Sequence, residues 1–376
     1  MIVVGNKQLL NEKLAVILNS SQSKTPCGND AWVRQTRTAL SELAGLGYTM
    51  ITSTGLVTWE LVTYLTGATR ASQVIVSQLF DDKGGEQIFE RTISDFELDE
   101  RKAAMVFIKS EHKGRSPKVD WLKRDRAAMA LAQKVAPISI RPGGRLQALL
   151  ESDVDAGKVD NDYKIIYQKP LITPPRYDLH KTISKALDWN HVAHWTKTRH
   201  GPWLGEKRFK YYERLIGSCD QYPNNALSTL MNIVKEKRIR ASTHKMRGNQ
   251  AAIGFSESPP EEVLNYLRWR PKMVNWNFEP YGVVLHKDLA RGLGIKPVVY
   301  GAESDFERLP ESERPYFHGL GEKDVDWSHE KEWRHLDDLD LSNTAEEEVS
   351  YFVWRQDEVS ILRALTGSQV FALSGV

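Results

Sequence analysis

The chain has 376 residues, 41% hydrophobic and 27% charged, with a formal net charge of +2 and two cysteines. That length exceeds the usual single domain, and the composition is that of a globular protein rather than a disordered or fibrous one, so two domains are expected. No run of about 18 apolar residues occurs, which excludes a membrane-spanning helix. The first residues lack the basic start and apolar core of a secretory leader, and Cys27 and Cys219 form no framework, so a reducing cytoplasm is the expected location.

Residues 1–150 read as alternating strands and helices. Strands are predicted at Ile2–Val4, Tyr48–Ser53, Val74–Ser77, Ala104–Ile108 and Pro137–Ile140. Helices are predicted at Ala31–Ala44, Thr58–Leu65 and Asp120–Val135. Apolar strands alternating with helices imply an α/β domain, a parallel sheet with helices on both faces. Such sheets bind ligands beyond the carboxyl ends of their strands. Three turns there have suitable chemistry: Gly5-Asn6, Ser53-Thr54-Gly55 and Arg141-Pro142-Gly143-Gly144. Glycine permits a positive φ and a close backbone approach, which presents amides to a phosphate. The cofactor-binding set is therefore Gly5, Asn6, Ser53, Thr54, Gly55, Arg141, Gly143 and Gly144, for a nucleotide or NAD-like ligand of unknown identity. No Walker or GxGxxG pattern is present.

Strand-Gly-Asn, strand-Ser-Thr-Gly-x-x-Thr-Trp-Glu, the basic stretch Arg124-Asp125-Arg126 and Ile138-Ser139-Ile140-Arg141-Pro142-Gly143-Gly144 together resemble the SMF/DprA–LOG (SLOG) superfamily of Rossmann-like domains. The resemblance covers most of residues 1–150. It implies a Rossmann-like fold and a role in nucleotide sensing, nucleotide processing or DNA binding. The enzymatic members carry Pro-Gly-Gly-x-Gly-Thr-x-x-Glu. Here Arg145-Leu146 follows Pro142-Gly143-Gly144, so binding without turnover is implied.

Residues 151–180 are polar and contain Thr173-Pro174-Pro175, which reads as a linker. Residues 181–376 form the second domain, with an expected α+β fold and a mixed sheet. A helical stretch is predicted at Asp178–Ala186, an amphipathic helix at Asn224–Glu236 and another helix at Glu261–Arg268. Strands are predicted at Ile253–Ser256, Tyr281–His286, Pro297–Tyr300 and Tyr351–Val353. Nine of the ten histidines and seven of the eleven tryptophans lie between His180 and His335. Imidazoles titrate near neutrality and indoles offer flat rigid surfaces, so the candidate chemistry belongs to this domain. His191 and His194, three residues apart, would share one face of a helix, with His200 or Cys219 as a third metal ligand. The segment lacks the glutamate base and second ligand pair of a zinc helix, so no metal is expected.

His194-Trp195-Thr196 at a strand end can hydrogen-bond a ribose and a carboxamide while the indole stacks on a base. Glu330-Lys331-Glu332-Trp333-Arg334 places a carboxylate beside an aromatic ring and a guanidinium, suited to an oxocarbenium-like transition state. The structural alternative is a solvated charge run anchored by Trp333. Charge is uneven: residues 180–290 carry 18 Lys/Arg against 10 Asp/Glu, and residues 291–376 carry 9 against 18. The two stretches can neutralise each other within the molecule. The functional alternative is a basic groove for DNA or RNA, sharpest in the 235–247 segment.

His194-x-Thr196, Arg238-Ile239-Arg240-Ala241-Ser242, Ile253-Gly254-Phe255-Ser256-Glu257, Tyr281-Gly282-Val283-Val284 and the closing Glu-x-Glu-Trp-Arg are similar to ADP-ribosyltransferase-like domains of bacterial phage-defence and abortive-infection proteins. This resemblance covers about residues 186–342. It implies Glu332, His194 and Thr196 as catalytic residues, with Glu330 as substitute. Trp195, Arg240, Arg247, Tyr281 and Arg334 would bind substrate. The combined expectation is a nucleotide-sensing enzyme performing N-glycosidic or group-transfer chemistry on a nucleotide or nucleic acid, in phage defence or DNA modification. Two alternatives stand beside it: a nucleobase-directed hydrolase using the histidines, and a non-catalytic nucleotide sensor or adaptor. A nucleotide and a homo-oligomeric copy are the further expected partners, and a membrane is not.

Overall fold

The computed structural model describes residues 2–79, 84–110, 121–170, 174, 176–178, 189–243, 246–247, 250–319 and 331–374. Glu330 and nearly all of the helix expected at Asp178–Ala186 lie outside them. The chain divides into two compact units. The first is Met1–Leu171 with Glu206–Pro223, and the second is Ile172–Gly205 with Asn224–Val376.

The first unit is built on a six-stranded sheet. Its strands are β1 Ile2–Gly5, β2 Leu14–Asn19, β3 Thr49–Ser53, β4 Gln73–Leu79, β5 Ala103–Lys109 and β6 Lys134–Ser139, in spatial order β1-β5-β4-β3-β2-β6. All neighbours are parallel except β1, which runs antiparallel to β5. β2 is a continuous apolar run, Leu14-Ala15-Val16-Ile17-Leu18, buried on both faces as a central parallel strand requires. Successive side chains feed opposite cores. Ala15 and Ile17 pack with helices α1 Ala31–Gly45, α2 Val57–Ala68 and α3 Gly85–Phe96. Leu14, Val16 and Leu18 pack with α4 Trp121–Leu131 and α5 Arg145–Ser152. α1 repeats apolar residues at helical spacing, burying Trp32, Val33, Ala39, Leu40 and Leu43. Pro137 cannot donate to a ladder, and the β2–β6 register shifts between Leu18 and Asn19, where Leu18 pairs with Pro137 and Asn19 with Ser139.

Two boundaries differ from those expected. The first unit does not end near residue 150, because the chain continues along the outer edge of β6, with bridges Val135–Val159 and Ser139–Ile165. Helix α6, Arg208–Gly217, belongs to the first unit although its sequence position lies inside the expected second domain. It buries Tyr211, Tyr212 and Leu215 in the same core as α1, α2 and α3. Cys27 and Cys219 therefore share one unit: the Asn29 amide donates to the Cys219 carbonyl at 3.2 Å, and the Gly28 amide to Ser218 Oγ at 3.0 Å.

The second unit is a mixed seven-stranded sheet. Its spatial order is Lys296–Pro297, Glu332–Leu336, Ala252–Ser256, β7 His191–Trp195, Gly282–His286, Val349–Val353 and Gln369–Ala372. Neighbours are antiparallel except the last pair. Helix α7, Ala226–Glu236, is capped by Asn225, whose side chain accepts from the Ser228 amide, and buries Leu230, Ile233 and Val234.

Candidate functional site

In the first unit the chain winds from β2 through β5 in one direction and then returns to the far side of β2 as β6. The segment after β2 leads to α1 on one face and the turn after β6 leads to α5 on the other. Between those two strands the connections diverge, the position at which open parallel sheets bind ligands.

Three groups meet there. Asn19 ends β2. Its Nδ2 donates to Thr36 Oγ1 at 3.0 Å, while its Oδ1 is buried with no partner among the described residues. The Ser20 amide donates to the Ser139 carbonyl at 2.9 Å, and the Arg141 amide donates to Ser20 Oγ at 2.9 Å, joining the two loops. The turn Arg141–Gly144 then enters α5, with Gly143 at φ +64°. Gly144 gives α5 no side-chain cap and its first turn holds no acid; the Gly143 amide donates to Gln147 Oε1 at 2.8 Å, and Arg141 and Arg145 are exposed beside it with no ion pair among the described residues. A helix start lacking an internal anion is electropositive.

The β3–α2 turn is closed from within. The Gly55 amide, at φ +88°, donates to Glu60 Oε1 at 2.9 Å, so the turn already faces a carboxylate. The Ser53 hydroxyl donates to the Val76 carbonyl at 2.7 Å, a structural bond inside the sheet. The Thr54 carbonyl accepts from Arg124 at 3.3 Å. Arg124 is 3% exposed, paired with Asp125 at 2.8 Å and set over the Trp59 ring at 5.3 Å.

Gly5 and Asn6 are at the wrong end of the sheet. Because β1 is antiparallel, Gly5 pairs with Ala104 at the start of β5, near the amino ends of the parallel strands. Both residues have local duties there. A Cβ on Gly5 would lie 2.6 Å from the Phe89 ring and 2.7 Å from the Ala103 carbonyl. Asn6 donates to the Arg101 carbonyl at 2.8 Å and accepts from the Gln8 amide. The strand that opens the parallel order is β2, which sequence reading passed over together with Asn19 and Ser20.

The expected catalytic trio of the second unit is not assembled. Ala193 pairs with Ser256 and Ser256 with Glu332, so these three share a face, whereas His194 alternates to the other. The His194 ring lies 5.6 Å from Phe255, on that opposite face. His194 Nδ1 lies 2.9 Å from the Gly254 carbonyl, so Nδ1 carries the proton. Burial, the largest influence, pushes the imidazole below its ordinary range. Thr196 is buried with its hydroxyl between the Ala226 and Tyr281 carbonyls, at 3.2 and 3.3 Å, and has a structural role. Burial alone would raise the Glu332 carboxyl, but His318 and Arg334 outweigh it and hold it below the usual carboxylate range. Arg334 grips both Glu332 oxygens, at 2.8 and 2.9 Å, and donates to the Pro315 and Phe317 carbonyls. Glu332 and Arg334 thus form an internal clamp.

The remaining expected substrate contacts are also engaged internally. Arg240 pairs with Glu236 and Asp338, and Arg247 grips Glu303 at 2.5 and 2.6 Å. The Tyr281 hydroxyl donates to Glu358 at 3.0 Å. Trp195 packs on Phe278 and Phe352, and its buried Nε1 has no partner among the described residues. The candidate metal set is dispersed: on a strand, His191 and His194 point to opposite faces, and Cys219 belongs to the first unit. Among the described residues no group of three or more His, Cys, Asp or Glu could hold a metal ion. No helix there is long and apolar enough to cross a membrane.

No protein-family model matches the sequence, and no curated protein matches it. Among solved structures the chain is similar to DNA processing protein A from Helicobacter pylori, in a structure concerned with that protein's single-stranded DNA binding mode. Identity is 15% and the TM-score 0.28, over 38% of this chain. The chain spans 61% of that protein's length.

Proposed function

We propose that the protein is a nucleotide sensor whose first unit takes a phosphate-bearing ligand at the carboxyl ends of β2 and β6. The observation that carries this reading is the buried, unpartnered Asn19 Oδ1 at the point where the connections diverge, beside an uncapped helix start flanked by Arg141 and Arg145. The amide oxygen suits a base amino group or a ribose hydroxyl, and the helix start and guanidiniums suit phosphate. Binding rather than turnover fits the second unit, where His194 and Glu332 face apart and Thr196 is bonded to backbone.

The test is thermal unfolding and calorimetry of the full chain with AMP, ADP, ATP, NAD and inorganic phosphate. A ligand at about 100 times its Kd adds about 2.7 kcal/mol of stability, a shift of several degrees. Arg141→Glu with Arg145→Glu should remove it. No shift with any nucleotide, or an unchanged shift in the double variant, refutes the proposal.

A further inference from the structure

The arginines of the basic segment singled out in the sequence are paired in the fold: Arg238 with Asp340, Arg240 with Glu236 and Asp338, and Arg247 with Glu303. Another set of cations in the same unit is not. Residues 266–277 form a small hairpin in which Trp269 pairs with Trp276 and Arg270 with Asn275. Its base is locked by Asn277. The Asn277 side chain accepts from the Arg268 amide at 2.8 Å and donates to the Tyr266 carbonyl at 2.9 Å. Its tip is closed by the Met273 and Val274 amides, which donate to the Arg270 carbonyl at 3.0 and 2.9 Å. Val274 is held at φ +55°, a left-handed conformation costly for a β-branched residue, so the surrounding bonds fix the tip's shape.

Arg268, Arg270 and Lys272 are exposed on this hairpin, and none has an ion-pair partner among the described residues. Apolar and aromatic groups are interleaved with them. Tyr266 is 39% exposed and Met273 50% exposed. Trp269 and Trp276 meet edge to face at 5.6 Å, and the buried Trp276 Nε1 has no partner among the described residues. A soluble surface ordinarily intersperses such cations with acids. Three unpaired cations alternating with rings on a rigid ribbon match a polyanion that also carries flat, stackable groups.

We propose that the Tyr266–Asn277 hairpin binds single-stranded nucleic acid, with Arg268, Arg270 and Lys272 on the phosphodiester backbone and Tyr266 and Trp269 against unpaired bases. The hairpin belongs to the second unit, so this assignment does not rest on the ligand proposed for the first.

Fluorescence anisotropy of the full chain with labelled 20-mers of single-stranded DNA, single-stranded RNA and duplex DNA, across a salt series, tests the assignment. Phosphatidylserine vesicles serve as a second anionic partner. Single strands should bind best, DNA and RNA arms identifying which is preferred. Replacing Arg268, Arg270 and Lys272 by Gln should flatten the logarithmic salt slope by about 2, and by Glu should abolish binding at moderate salt. Tyr266→Ala should weaken binding about tenfold at fixed salt. The Arg141→Glu, Arg145→Glu protein should keep its affinity for single strands while losing the nucleotide shift. Wild-type affinity and slope in the Gln variant overturn the proposal, as does tighter binding to duplex or vesicles than to single strands.

Discussion

Tyr212 carries the claim that α6 is part of the first unit's core. The residue is fully buried, stacked against Tyr64 at 5.8 Å and Phe96 at 6.1 Å, and its hydroxyl donates to Glu60 Oε2 at 2.9 Å. Burial and then the Glu60 carboxylate push the phenol well above its ordinary range, so it remains the donor at any working pH. An aromatic ring covers about 200 Å² on burial, which at ~25 cal/mol per Å² is about 5 kcal/mol. Large aromatic truncations lose about 3–5 kcal/mol in practice, and the stranded carboxylate adds about 1 kcal/mol. Tyr212→Ala should therefore cost about 4–5 kcal/mol, a fall of roughly 10 °C or more in a unit of this size. Tyr212→Phe keeps the stacking and should lose only about 1–2 kcal/mol. Hydrogen exchange read by peptide locates the damage. Protection should fall in α2 and α3 as much as in α6, and stay intact in Gly282–His286 and Val349–Val353. A loss confined to α6, or centred on the second sheet, would refute the placement of this helix in the first core.

A Cβ on Gly28 would lie 2.2 Å from the Ser218 carbonyl and 2.6 Å from the Ile216 carbonyl, so Gly28→Ala should destabilise by about 2–3 kcal/mol in a urea melt. A neutral result would mean that the end of α6 is not seated on this loop. Glu332→Gln should cost about 3 kcal/mol by leaving Arg334 buried without its carboxylate, whereas a catalytic glutamate would leave stability unchanged. Because the folded Glu332 carboxyl lies below its unfolded value, that stability is complete above the ordinary carboxylate range and is lost as pH falls through the folded pKa, which acid titration of both proteins checks. His194 has its folded pKa depressed, so the unfolded state takes up its proton first and stability falls as pH drops below the ordinary histidine value of about 6.5. His194→Gln, which can keep a donor to Gly254, should flatten the melting-temperature profile between about pH 6.5 and 5.5.

The alternation of buried strands and helices was legible in the first 150 residues because a parallel sheet covered on both faces leaves apolar runs that propensity alone can find. The turns at Gly55 and Gly143 are legible from the glycines that follow those apolar runs. What escaped was direction. Nothing local in Ile2-Val3-Val4-Gly5 distinguishes an antiparallel edge strand from a parallel one, and that orientation alone sends Gly5 to the far end of the sheet. β2 escaped too, although Leu14-Ala15-Val16-Ile17-Leu18 closed by Asn19-Ser20 is a buried-strand signal. In the second unit, helical spacing would put His191 and His194 on one face. As a strand with period two the segment separates the residues that helical spacing would have joined. The docking of α6 was not readable at all, since it rests on contacts more than 100 residues apart in sequence, such as Arg208 to Glu60 and Asp95.

Charge shows why counting cations along a sequence misplaces a binding surface. Lys235 to Arg247 is the densest basic stretch, yet the fold delivers Asp338, Asp340 and Glu303 to its arginines, from the acidic end of the chain. The same logic separates the two glycine turns at the carboxyl edge of the first sheet. Glu60 lies five residues after Gly55, close enough to close its own turn, and it simultaneously receives Tyr212 and Arg208 from α6. A group committed to three internal donors has little to offer a ligand, so Glu60 belongs to the scaffold. The α5 turn has glycine, helix start and two arginines with no carboxylate among them, and the hairpin at 266–277 has cations that no acid reaches. Ligands are expected where charge is left over after the protein has satisfied itself, and both of these places meet that condition among the described residues.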